Sequence, residues 1–159
     1  MAAATRLPSR RRRGLAAAFT AFTALCLSAI ALPARADVWV VVPTSSSVKT
    51  MTQKELVDLY MGRSRAFPDG TFALPFDLPR DHPGRAAFYQ ALTGMDLAQI
   101  NSYWSRLMFS GQTLPPQPLP GEAAMADLVK RNPSAVGYLL QEPAADKGLR
   151  VVLVLKSAK

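Results

Sequence analysis

The run Val38-Trp39-Val40-Val41-Val42 limits what this chain can fold into more than any other stretch. Five consecutive apolar residues, four of them β-branched valines, suit a strand. They leave no polar side for water, so such a strand must be covered on both faces. That pattern is typical of parallel sheets flanked by helices, and a buried parallel strand is what it predicts here. Pro43 and the hydroxyl cluster Thr44, Ser45, Ser46 and Ser47 end the run.

A sheet covered on both faces needs amphipathic helices, and the following residues supply them. Thr52-Gln53-Lys54-Glu55 fits a capping box, in which the Thr oxygen and the Glu carboxylate take up free backbone donors. Leu56, Leu59 and Tyr60 follow at helical spacing, and Gly62 is the stop. Pro68-Asp69-Gly70 is a turn before a short strand at residues 72–76. A second helix is predicted to bury Phe88, Tyr89 and Leu92 and to close at Gly94. A third begins near Asp96 and ends at Gly111, with Leu97, Ile100, Tyr103, Trp104, Leu107 and Met108 at intervals of three and four. At that spacing Tyr103, Trp104 and Phe109 read as core and not as a stacking platform.

Residues 115–120, Pro-Pro-Gln-Pro-Leu-Pro, form an extended crossing. Glu122–Arg131 is a short amphipathic helix stopped by Asn132-Pro133, and residues 135–140 and 149–155 are strands. The alternation predicts an α/β domain: a single three-layer lobe whose mostly parallel or mixed central sheet is flanked by helices.

The formal charge of +8 suggests nucleic acid or membrane until its position is considered. Arg6, Arg10, Arg11, Arg12, Arg13 and Arg35 precede Asp37, and no acid does. From Asp37 onward 13 basic residues face 11 acidic ones, a net of +2. A binder of phosphate backbones keeps its charge on the folded part, so no nucleic-acid partner is expected.

The first 36 residues have the three parts of an export signal: arginines at 10–13, an apolar stretch at 15–32 and Ala34-Arg35-Ala36. Cleavage is expected between Ala36 and Asp37, leaving one domain over 37–159 with no stable membrane span. The expected location is the periplasm or outside the cell, by the general or the twin-arginine route. Cys26, the only cysteine, leaves with the signal, so the exported chain has no disulfide and no thiol chemistry.

Catalytic chemistry is poorly supplied. With one histidine and no remaining cysteine, no metal site at ligand spacing is found, and no cofactor is expected. A Ser-His-Asp arrangement would rest on His82 and Asp81, but no G-x-S-x-G elbow presents a serine. No catalytic residue is assigned, and the chain is read as a non-enzyme.

Anion binding fits better. Ligands gather at the carboxyl ends of strands beside helix N-termini, whose unpaired N–H groups favour negative charge. Two such places are read: Thr44, Ser45, Ser46 and Ser47 after the first strand, and Arg80, Gly84 and Arg85 after the second, with the first loop lending hydroxyls to the second. The plainer reading makes Asp81 the N-cap of a helix and Arg85 a solvated residue.

Several spaced motifs then converge. Leu59-Tyr60-Met61-Gly62 before Phe67-Pro68-Asp69-Gly70, Tyr103-Trp104-Ser105-Arg106 to Phe109-Ser110-Gly111 with Pro115-Pro116, and Val136-Gly137-Tyr138 follow in order. Over residues 38–155 the chain resembles small periplasmic proteins related to the substrate-binding component of phosphate ABC transporters. The resemblance implies one lobe of a type II periplasmic binding protein, at about half the length of the two-lobed members. Arg80 and Gly84 match the family's phosphate loop in place, while His82 and Pro83 stand where that loop carries hydroxyls. The implied function is a solute-binding-like protein that takes phosphate or a related oxyanion for ABC-type uptake. The alternative is an interaction module, no longer binding solute, that docks onto an envelope sensor or transporter protein.

Overall fold

The computed structural model describes residues 37–145 and 148–157 and places the apolar run in β1 (Val38–Pro43). The expected cleavable leader over residues 1–36 lies outside the described residues. The other strands are β2 (Leu74–Asp77), β3 (Gln117–Pro118), β4 (Ala135–Leu139) and β5 (Leu149–Leu155), in spatial order β3-β2-β4-β1-β5. The helices are α1 (Gln53–Tyr60), α2 (Pro83–Thr93), α3 (Leu97–Phe109) and α4 (Glu122–Arg131).

The sheet is mixed. β2 runs parallel to β3 and β4, but β1 is antiparallel to both of its neighbours, β4 and β5. The expected parallel pairing of the valine run is therefore wrong, although its burial is right. Val38, Val40, Val41 and Val42 are all fully buried. An apolar run reports that both faces are covered and says nothing about the direction of the neighbouring strands.

Opposite faces of this sheet meet different helices. Val41 pairs with Gly137, and a Cβ built on Gly137 would stand 2.5 Å from Met125 Sδ and 2.9 Å from Val129 Cγ2, so α4 lies on that face. Val40 pairs with Tyr138, whose ring stacks on Phe88 of α2 at 3.8 Å between centroids, so α2 covers the other. Tyr60 of α1 joins the second layer, its ring 4.6 Å from that of Phe88. The result is a three-layer α/β lobe.

Local chemistry accounts for the helix ends. Glu55 N donates to Thr52 Oγ1 at 3.3 Å and Thr52 N to Glu55 Oε2 at 2.7 Å, which is the expected capping box. Asp96 and Gln99 form a second one at the start of α3. Gly94 closes α2 with φ of 74°, a left-handed conformation that favours glycine.

Two boundaries differ from expectation. The strand read over 72–76 is β2 at 74–77, and Phe72 is left 58% exposed in an isolated bridge to Ala66. The extended crossing contributes β3 by pairing Gln117 with Phe76 and Pro118 with Asp77.

The outer strand β5 is tied to the loop that follows β1. Met51 N donates to Val152 O, beside the bulge that shifts register between Val40 and Val41. The Arg150 guanidinium donates to the carbonyls of Thr44, Ser46 and Val48 at 2.8–3.1 Å. An edge strand restrained by a neighbouring loop offers less backbone to foreign chains.

Replacing Gly137 by alanine would force a methyl group against Met125 and Val129. We expect Gly137→Ala to lower unfolding free energy by about 1–3 kcal/mol, read from the urea midpoint at unchanged slope.

Candidate functional site

β2 leaves the sheet through Asp77, a carboxylate 3% exposed. Burying a charge is costly unless it is paired and hydrogen-bonded. Asp77 Oδ1 accepts from Tyr138 Oη at 2.6 Å and from Leu78 N at 2.8 Å. Its Oδ2 accepts from Arg85 Nε at 2.8 Å and from Tyr89 Oη at 3.0 Å. One carboxylate thus joins β2, β4 and two turns of α2, and Arg85 Nη1 extends the set to Asn101 Oδ1 of α3 at 3.1 Å.

This network sets the state of its members. Burial, followed by the nearby Asp77 charge, raises Tyr60, Tyr89 and Tyr138 well above the ordinary tyrosine value of 10.0. Burial alone opposes the charge on Arg85, but Asp77 outweighs it and raises its pKa. Arg85 is therefore neither the solvated helix residue of the plainer reading nor a free anion ligand: its Nε and Nη1 are held inside the protein.

The entrance of α2 also departs from expectation. His82, not Asp81, is the N-cap, and its Nδ1 accepts from Gly84 N at 3.0 Å. Pro83 has no N–H, and Arg85 N donates to His82 O at 3.0 Å. The first-turn donors that would hold an anion are thus absent or already used. Gly84 is buried for steric reasons, since a Cβ there would lie 2.9 Å from Leu140 Cδ1 and 3.0 Å from His82 Nδ1. No serine hydroxyl or carboxylate among the described residues hydrogen-bonds the His82 ring, so the triad arrangement is not assembled.

Thr44, Ser45, Ser46 and Ser47 lie away from this entrance. Because β1 runs antiparallel to β4 and β2 runs parallel to it, the end of β1 lies beside the start of β2. The two clusters sit at opposite ends of the sheet: the register puts Thr44 and Asp77, where the strands end, about 13 Å apart along the strands. The expectation that one loop lends hydroxyls to the other assumed parallel strands. Three of these hydroxyls already have protein partners: Thr44 with Gly148 O, Ser46 with Val48 N and Ser47 with the Asp69 carboxylate.

Arg80 remains. It is exposed and forms no ion pair among the described residues. It lines a cleft of about 160 Å³ with Arg85, Asn101, Trp104 and Ser105. The cleft opens onto a shelf formed by Arg80, Asp81, Asn101, Ser102 and Ser105. Neither serine hydroxyl has a protein partner among the described residues. Sequence reading missed Asp77, Asn101, Ser102 and Ser105. An acid at the end of an apolar strand was a signal for Asp77, but local spacing carried none for the other three.

The aromatic residues of α3 divide. Trp104 is 3% exposed and Tyr103 Oη donates to Met61 O at 2.7 Å, as core residues should. Phe109 is 92% exposed, so its core reading is overturned: it ends the helix, beyond the buried positions Ile100 and Trp104.

No protein-family model and no curated protein matches the sequence. Solved structures do share its fold. One is a phosphate ABC transporter substrate-binding protein from Clostridium perfringens with bound phosphate, at TM-score 0.56 and 17% identity over 74% of this chain and 45% of that one. Another is an ABC-type phosphate transport receptor from Vibrio cholerae, at TM-score 0.56 and 16% identity over 74% of this chain and 47% of that one. The chain thus has the fold of part of such proteins and spans just under half their length.

Asp77→Asn leaves the Arg85 charge buried and unpaired. We expect a loss of about 3–5 kcal/mol in urea unfolding, partly restored by Arg85→Met in the same chain. The tyrosines give a second expectation. Their folded values lie above the unfolded value, so their contribution is complete below pH 10.0 and is lost as pH rises beyond it. Alkaline titration should show tyrosinate absorbance of these three residues rising together with loss of near-ultraviolet circular dichroism.

Proposed function

We propose that this chain is an exported, non-enzymatic solute-binding-like lobe, acting in the periplasm, that holds phosphate or a related oxyanion at Arg80 for ABC-type uptake. The observation that carries this reading is the unpaired Arg80 guanidinium, which shares one cleft with the free hydroxyls of Ser102 and Ser105 and with Asn101. An arginine fork with hydroxyl and amide donors is suited to oxyanions. The fold shared with phosphate-binding proteins supports the same class of ligand. Asp81, on the same shelf, accepts a hydrogen bond from protonated phosphate and repels fully ionised sulfate. Gly84 and Arg85 act indirectly, by seating α2 and orienting Asn101. Thr44, Ser45, Ser46 and Ser47 have no part in this site.

An open cleft that uses no helix N-terminus supports weak binding, in the range of about 1 mM. Calorimetric titration of the purified protein should give heat with phosphate, less with sulfate and none with phosphate in Arg80→Ala. A ligand that prefers the folded state must also raise its thermal stability. Absence of both heat and stabilisation at about ten times that concentration rejects the proposal.

One observation favours docking onto an envelope protein instead: Phe109 is 92% exposed beside Met108, which is 44% exposed. Photo-crosslinking from position 109 in cells yields a discrete adduct under that reading, and phosphate then gives no heat.

A further inference from the structure

A second cleft lies on the other side of Trp104 and has no role in the anion site. Its volume is about 260 Å³, and Leu59, Phe72, Trp104, Leu114, Pro115 and Pro116 form its apolar lining. Trp104 is its floor, packed so closely that a Cβ at Gly62 would lie 2.9 Å from the indole ring. Phe72 and Leu114 are its walls and are 58% and 77% exposed. Large apolar side chains that jointly face an open groove mark a binding surface.

The walls come from parts of the chain that are held in place. Phe72 is carried by the bridge to Ala66, and Phe67 N donates to Thr71 O at 2.8 Å across the turn. Leu114 precedes Pro115 and Pro116, whose rings restrict the backbone.

Charge and backbone chemistry narrow the occupant. Arg65 lines the groove, is exposed and has no ion pair among the described residues. The acids on neighbouring segments are already engaged: Asp58 by Lys54 and Arg63, and Asp69 by Ser47 and Thr71. The rim therefore favours a single negative group. An extended peptide adding to the sheet is disfavoured, because β3 has two residues and Pro115, Pro116, Pro118 and Pro120 offer no N–H. An occupant that needs no main-chain hydrogen bonds fits instead. Ligand pockets range from about 300 to 1,000 Å³, and this groove lies just below that range, which suits a small ligand.

We infer that this groove binds a medium-chain carboxylate, with its hydrocarbon body between Phe72 and Leu114 over Trp104 and its carboxylate on Arg65. The two clefts share Trp104, Pro115 and Pro116 as apolar lining, but the polar groups proposed for phosphate, Arg80, Asn101, Ser102 and Ser105, do not line this groove.

Sodium octanoate is the probe. The sequence holds two tryptophans, so in Trp39→Phe the emission comes from Trp104 alone. A saturable change in that emission is expected, matched by heat on titrating the unaltered protein should the Trp39 variant fold poorly. Arg65→Ala should weaken binding about tenfold, the loss of one charge-assisted contact. Leu114→Glu, at an exposed position, should abolish it, and Arg80→Ala should leave it unchanged. Octanol should bind no better to the unaltered protein than octanoate does to Arg65→Ala. Equal binding by all variants means detergent-like adsorption and overturns the proposal. So does the absence of any response, and so does a concentration-dependent dimer lost in Leu114→Glu that occupies the groove with a second copy.

Discussion

The Asp77 carboxylate is the point on which the site end of this lobe depends. It lies where β2 leaves the sheet, and its four hydrogen bonds reach the following backbone, a neighbouring strand and two turns of α2. The entry angle of α2 and the position of Asn101 on α3 follow from it. Tyr89 and Tyr138 each bring a hydroxyl to the carboxylate and an aromatic ring to the core beside Phe88. Polar and apolar packing are therefore not separable here: the rings that fill the layer between sheet and α2 are the same rings that solvate the buried charge.

Much of the fold could be read in advance because its signals are local. The capping box at Thr52 and Glu55, the stop at Gly94 and the β5 span at 149–155 depend on residues a few positions apart. Burial was legible for the same reason, since an unbroken run of valines has no solvent face. Strand direction was not legible. Nothing within residues 38–42 distinguishes a parallel neighbour from an antiparallel one, and that single ambiguity carried Thr44, Ser45, Ser46 and Ser47 to the wrong end of the sheet.

The candidate site was legible in part. Arg80 was recognisable as a charge at a strand-to-helix step. Arg85 carries the same charge five residues later, yet it faces inward because the Asp77 carboxylate at the end of β2 accepts its Nε–H. The pairing needs tertiary structure to be seen. His82 shows a subtler limit. An imidazole can accept a hydrogen bond as a carboxylate does, so an Asp-His step offers two candidate caps, and the burial of Gly84 against Leu140 favours the one that places the ring over it.

The pairing of β1 with β5 joins Val38 to Leu155, so the valine strand gains its outer neighbour from residues more than a hundred positions away. Contacts this distant are made late, because a long loop must close before they reward the chain. Until β5 emerges, the valine strand has an unsatisfied edge and the sheet stops at β1. A chain built in this way completes its sheet only once its last strand is available. The strand order that seats the early valine strand between two late ones, β4 and β5, thus acts as a delay on folding, written into topology.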